Sequence, residues 1–340
     1  MEPTDALLAD ARARALALEA EVARAVVGQA RAIRLVNTAL FARGHVLLQG
    51  DVGVGKTTLL RAFAQVLGGA YARIEGTVDL MPGDLAYHTY IGTDGRPAVD
   101  PGPLVQHGED LAIFFFNEIN RARPQVHALL LRVMAERSVQ AFNREFKLPH
   151  LLVFADRNRV EREETFEISA AARDRFMLEI AIDAPQDDAL RRSLVFDPRF
   201  HDTDALIASL QAALVAHREL GAIGAAIQQG VQASDALQSY VMNLWRATAD
   251  PAAFGVQLSG IEMRQLVLAG ASPRGMAQLM RAARVWAWLQ GRAHVLPEDV
   301  QGLLAEAIAH RLCLQPVYEL RRQDIAPALV AGILAQVAAP

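Results

Sequence analysis

One octapeptide limits this chain more than any other feature: Gly50, Asp51, Val52, Gly53, Val54, Gly55, Lys56 and Thr57 in a row. The stretch fits G-x-x-x-x-G-K-[ST]. It follows the apolar run HVLLQG (45–50) and opens the helix-period run TTLLRAFAQVLG (57–68), the strand–loop–helix setting that gives the pattern structural meaning. Glycines at this spacing let backbone N–H groups curl around a polyphosphate, and the following helix adds the positive end of its dipole. Lys56 is placed to reach the β- and γ-phosphates, and Thr57 to offer a hydroxyl to Mg²⁺; Thr58 extends the nucleotide-binding stretch. The lysine stands out because the chain has only one other, Lys147; arginine carries the remaining positive charge. A slim point charge is kept where a phosphate must be met among backbone groups.

The 340 residues suggest roughly two domains. Hydrophobic residues make up 52%, enough for a sizeable core. Between 45 and 182, apolar runs alternate with helical stretches: AYARIEG (70–76), LAIFFFNE (111–118), LPHLLVFAD (148–156) and RFMLEIAI (175–182) read as strands, and RPQVHALLLRVMAER (123–137) as a helix. That rhythm predicts a parallel sheet covered on both faces. Two segments break it. Residues 81–104, dense in Gly, Pro and Asp with a turn at Asp94-Gly95, read as a hairpin-like insertion; 138–148 read as a second hairpin turning around Asn143-Arg144. Beyond DAPQDD (183–188) the strand signal stops, and 205–220, 235–250, 273–290 and 297–312 carry helical periodicity. The expected organisation is an α/β domain over 1–185 and a helical domain over 186–340. Residues 1–27 are interrupted by acids and read as a first helix rather than a targeting peptide.

A phosphate loop binds; hydrolysis needs more. Asn117-Glu118 close a buried strand at the end that faces the ligand crevice in parallel sheets. Glu118 is the candidate base that polarises water. Asn117 stands where Asp more often holds Mg²⁺ through its water shell; an amide can accept from metal-bound water but carries no charge, so weaker Mg²⁺ binding is expected. Asn158 follows the next strand and is a candidate to orient the water. Arg175 precedes the last strand. Arg274 follows a predicted N-cap, Ser272, and a proline at the first helical position, Pro273.

As a set, VVGQ (26–29), the phosphate loop, NEINRARPQVHALLLRVMAERSVQ (117–140), ARDRF (172–176), GASPRGMAQLMRAARVWAWLQGRAHVLPEDV (270–300) and HRLCL (310–314) resemble the MoxR family of AAA+ ATPases over nearly the whole chain. The resemblance implies a P-loop NTPase core with an αβα sheet, a helical lid and assembly of identical copies, usually a hexameric ring. It implies ATP and Mg²⁺ as cofactors, Lys56 and Glu118 as the Walker A lysine and Walker B glutamate, Asn158 as sensor 1, Arg274 as sensor 2, and Arg175 as the arginine finger entering a neighbour's site. Gln29 joins the nucleotide-binding set. Segment 81–104 resembles the family's helix-2 insert and 138–148 the hairpin before sensor 1. The implied work is chaperone-like, in the cytoplasm: remodelling a client protein complex, including metal or cofactor insertion, beside a partner with a von Willebrand factor A domain. ADRNRVEREETFEIS (155–169) departs from the usual sensor 1 text.

Two other readings stay open. Asn117 fits a nucleotide-gated scaffold that hardly hydrolyses. The pairs Arg121/Arg123 and Arg191/Arg192 permit a DNA-remodelling ring, though a net charge of −4 weighs against a general nucleic-acid binder. No run of 18 apolar residues predicts a membrane span. The nine histidines have no metal-ligand spacing. The tryptophans, Trp245, Trp286 and Trp288, are expected in packing, and Cys313 is expected to be buried beside Leu312 and Leu314.

Overall fold

The structure, a computed structural model, describes residues 3–157 and 166–340. The chain divides into an α/β unit, Ala13–Arg175 with Ile180–Ala222, and a helical unit, Met1–Arg12 with Phe176–Glu179 and Ile223–Pro340. The break expected at 185/186 falls inside the α/β unit.

Helices α1 (Pro3–Ala25) and α2 (Ala30–Phe41) lead into β1 (His45–Gln49), α3 (Lys56–Leu67) and β2 (Ala70–Glu75). An antiparallel hairpin follows, β3 (Tyr87–Ile91) and β4 (Pro97–Pro101); then come β5 (Leu111–Asn117), α4 (Pro124–Glu136), the hairpin β6 (Ser138–Ala141) and β7 (Arg144–Lys147), and β8 (Leu152–Arg157). After α5 (Ala170–Arg173) the strand β9 (Phe176–Ala181) completes a five-stranded sheet of order β2-β5-β8-β1-β9, whose β2/β5, β5/β8 and β8/β1 pairs are parallel. The sheet is central because its strands are apolar on both faces: Phe114, Phe115, Phe116 and Phe154 are fully buried. Burying each such ring contributes about 1.5–3 kcal/mol. α3 stops at Gly68, which takes the left-handed conformation (φ 60°).

Two local expectations are corrected. The helical run 205–220 is mostly not helix. Beyond α6 (Asp188–Phe196), α7 (Thr203–Ala208) ends early, Ala213 adopts φ 55°, and the N–H groups of Leu214 and His217 donate to Val66 and Leu67 at the end of α3. Tertiary backbone bonds outweigh the helical period there. The second hairpin turns at Phe142 and Asn143, both with positive φ, one residue before the expected place. The Phe142 ring lies 5.5 Å from Tyr87 and 6.4 Å from Phe146, contacts that offset an unfavourable backbone for a bulky residue.

The helical unit contains α8 (Leu220–Gly230, begun in the other unit), α9 (Asp235–Ala249), the short ribbon β10 (Val267–Ala269) and β11 (Cys313–Leu314), α10 (Pro273–Leu289), α11 (Pro297–Ile308), α12 (Pro316–Glu319) and α13 (Arg322–Gln336). Helix α11 packs against α9, α10 and α13. Ser272 caps α10, its hydroxyl accepting from Gly275 N at 2.9 Å, and Pro273 opens it. Trp288 is buried, with Nε1 donating to Leu8 O at 3.1 Å, and Trp245 donates to Ala271 O at 2.8 Å. Cys313 is half-buried rather than buried, because strand alternation turns it away from the face that buries Leu312 and Leu314. Among the described residues no helix is long and apolar enough to cross a membrane.

Candidate nucleotide site

The phosphate loop joins β1 to α3 within the α/β unit. Gly53 and Gly55 have φ of 80° and 90°, and a Cβ at either would meet nothing, so backbone conformation alone requires glycine there. Gly50 is glycine for space: a Cβ would lie 2.3 Å from Ile182 O. Gly55 is the N-cap of α3 and no side chain caps that helix end, which leaves its dipole turned to the loop.

Lys56, the first residue of α3, is 9% exposed. Its Nζ donates to Gly50 O at 2.6 Å and Asp51 O at 3.3 Å, and pairs with Asp156 Oδ2 at 2.8 Å. The ammonium is thus held by anionic and carbonyl oxygens in the cradle. Asp156, on β8, is 1% exposed; its Oδ1 accepts the Glu118 backbone N–H at 2.5 Å. Burial pushes its carboxyl pKa up, opposed by the bonds from Lys56 and the Glu118 N–H.

Glu118 sits just past β5 with φ 54°, ψ 52°, a left-handed backbone that a glutamate adopts only when its surroundings impose it. Three contacts do so. Asp156 holds its N–H; Gly76 donates to Asn117 O at 2.7 Å; and Gly76 lacks the Cβ that would stand 2.2 Å from Glu118 O. The Glu118 carboxylate pairs with Arg121 at 2.9 Å. Just beyond, His127 Nε2 donates to Ile119 O at 2.7 Å, and burial lowers the imidazole pKa.

Beside the loop lies a cavity of 340 Å³ walled by Val26, Gly53, Thr58, Pro185, Leu194 and Phe200, with Gln29 on its rim. Gln29 Nε2 donates to Asp183 O, tying the entry segment to the chain after β9. A pocket of mixed polar and apolar lining that adjoins the loop is of a size that suits a small ligand.

Lys56, Thr57, Thr58, Asn117, Glu118 and Gln29 therefore belong to one region of the α/β unit. Asn158 lies outside the described residues. Arg175 is half-buried at the end of the α/β unit's first segment, with Nη1 donating to Ala171 O at 3.4 Å. Arg274 is exposed in the first turn of α10, in the helical unit. Sequence reasoning missed Asp156, Gly76 and the wall formed by Pro185, Leu194 and Phe200. Asp156 carries a signal in the sequence: like Asn117 and Glu118, it stands near the C-terminal end of a buried strand.

The comparisons with known proteins agree with this picture. Residues 45–178 match the family model described as "ATPase family associated with various cellular activities (AAA)", and 263–328 match that of the AAA lid domain. The chain is 60% identical to Protein MoxR of Methylorubrum extorquens, over 100% of this chain and 99% of that one, and 55% identical to Protein MoxR of Paracoccus denitrificans, over 99% of each. Chaperone MoxR1 of Mycobacterium tuberculosis is 33% identical over 94% of this chain and 81% of its own length. A crystal structure from Cytophaga hutchinsonii, named as a candidate ATPase, superposes with a TM-score of 0.82 at 27% identity, covering 99% of this chain and 97% of that one. A P-loop ATPase of the AAA+ class, with a five-stranded α/β core and a helical lid, is the protein class these observations define. Within that class the chain belongs to the MoxR family.

Proposed function

We propose that this chain binds ATP in the cradle of residues 50–58 and hydrolyses it to remodel a partner protein in a chaperone-like role. The observation that carries the reading is the convergence on one loop of a lysine already held by a buried carboxylate, a glutamate held in a left-handed backbone beside it, and a cavity of a size that suits a small ligand. Lys56 and the uncapped end of α3 take the phosphates, and the cavity above Gly53 takes the base. Glu118 accepts the proton of the attacking water; the Arg121 contact must loosen for it to do so. The donor set suits magnesium, a hard cation that prefers oxygen: the Thr57 hydroxyl, the Asn117 amide and the Glu118 carboxylate all offer oxygen. When bound, magnesium would neutralise charge on the transferring phosphoryl group.

In this reading Asn158, Arg175 and Arg274 act as sensor, finger in trans and lid contact, with identical copies in a ring, a hexamer by family habit. The relative named Chaperone MoxR1 supports the remodelling role, and metal or cofactor insertion beside a von Willebrand factor A partner in the cytoplasm is the finer form of it. A finger supplied in trans contributes about 10³–10⁵ in rate in related phosphoryl transfers, so turnover should appear only at concentrations that assemble the protein. The test is phosphate release across a concentration series, with Glu118→Gln as control. A wild type that releases no more than the control at every concentration leaves the scaffold reading, which Asn117 favours.

A further inference from the structure

Strands β5 and β8 are neighbours and parallel, with Phe115 opposite Phe154 and Phe116 opposite Ala155. Continued by one residue, that register brings Asn117 level with Asp156 on one face of the sheet, and the Glu118 N–H bond to Asp156 Oδ1 ties the two strand ends together. There a neutral amide on β5 lies against a carboxylate on β8. We propose that Asp156 supplies, from β8, the anionic oxygen toward hydrated magnesium that Asn117 cannot supply from β5. The inference rests on the nucleotide-binding reading above.

Two observations carry it beyond position. Asp156 is 1% exposed, and its Oδ2 is paired with Lys56, the residue that must turn to the phosphates when nucleotide arrives. A buried carboxylate that gives up its cation needs another. The cation that travels with a nucleoside triphosphate is magnesium, and the hydroxyl that would meet it, on Thr57, is the residue next to Lys56.

The test uses the full chain and reads binding rather than turnover: the affinity for a fluorescent ATP analogue, with Mg²⁺ and with a chelator. Asp156→Asn keeps an acceptor for Glu118 N–H and removes the charge. The expected result is a loss of about 10–100-fold in the tightening that Mg²⁺ produces, with chelated binding no weaker than in wild type. Adding Asn117→Asp to that variant should bring the tightening back. A loss below tenfold overturns the proposal. If Asp156→Asn does not fold, the double variant Asn117→Asp/Asp156→Asn, which keeps one carboxylate on the rung, decides: its Mg²⁺ tightening should match wild type, and a loss of tenfold or more overturns the proposal. Wild type that takes up no analogue under either condition brings down the ATP reading and this inference with it; wild type that binds, with Asp156→Asn unchanged, brings down this inference alone.

Discussion

Six of the seven residues of β5 are buried, whereas all five of β3 are exposed. Both strands lie in the α/β unit, and the contrast separates scaffold from surface. β5 is packed on both faces, so its end is a fixed point from which Asn117 and Glu118 are aimed. β3 pairs only with β4, and their hairpin leaves Tyr90, Ile91 and Val99 in solvent. A two-stranded hairpin without a covered face has little stability of its own. Its one described ring contact reaches another hairpin, through Tyr87 and Phe142. One end of the unit is thus rigid, and its insert is an exposed apolar ribbon.

The comparison can be broken most directly at Phe115, which is fully buried on the β5 face shared with Asn117. Phe115→Ala should lower unfolding free energy by about 3–5 kcal/mol in denaturant titrations; a loss below 1 kcal/mol would mean that β5 is not the rigid element described. Next in size is Gly76→Ala. Its Cβ would meet Glu118 O at 2.2 Å, so a loss of about 1–3 kcal/mol is expected, together with slower phosphate release because Glu118 is re-aimed. Unchanged release would uncouple Gly76 from the site.

Acid should act more mildly. Burial lowers the pKa of His127, and also of His150 and His217, below the ordinary 6.5. The unfolded chain then takes up protons that the folded chain declines. Stability from burying these rings neutral is intact above that value and is lost as pH falls through it, by at most about 1.4 kcal/mol per pH unit for His127 and by less for the solvent-screened His150 and His217. Thermal melts between pH 7.5 and 5.5 should show the decline, and His127→Gln should flatten it; a parallel decline in the variant would remove His127 from the account. Smallest of all, Ile91→Ser should stay within about 0.5 kcal/mol of wild type, while weakening capture of a partner if the hairpin is the gripping surface. A large stability loss would show β3 to be packed after all.

Much of the α/β unit was legible because its signals are local. A glycine pattern between an apolar run and a helical run specifies a loop whatever surrounds it, and Gly68, Ser272 and Pro273 mark helix ends through their own backbone chemistry. The segment 205–220 was misread for the opposite reason. Its periodicity is helical, but its backbone donors are claimed by the end of α3, a competition no window of that segment contains. The turn of the second hairpin slipped by one residue because Asn143 signals a turn while Phe142 does not; the neighbouring Tyr87 ring lies more than fifty positions away in the chain.

What the amino-acid order determined unaided is the phosphate loop, the apolar strands and the acid at the end of β5, since each depends on residues adjacent in the chain. What the tertiary structure alone decided is the partnership of Lys56 with Asp156, the bend that holds Glu118, and the cavity assembled from residues near 26, 53, 185 and 200. Strand order and register set these, and register is a relation between segments a hundred residues apart: which carboxylate faces a lysine depends on which strand lies beside which, a choice made by packing both faces of the sheet at once.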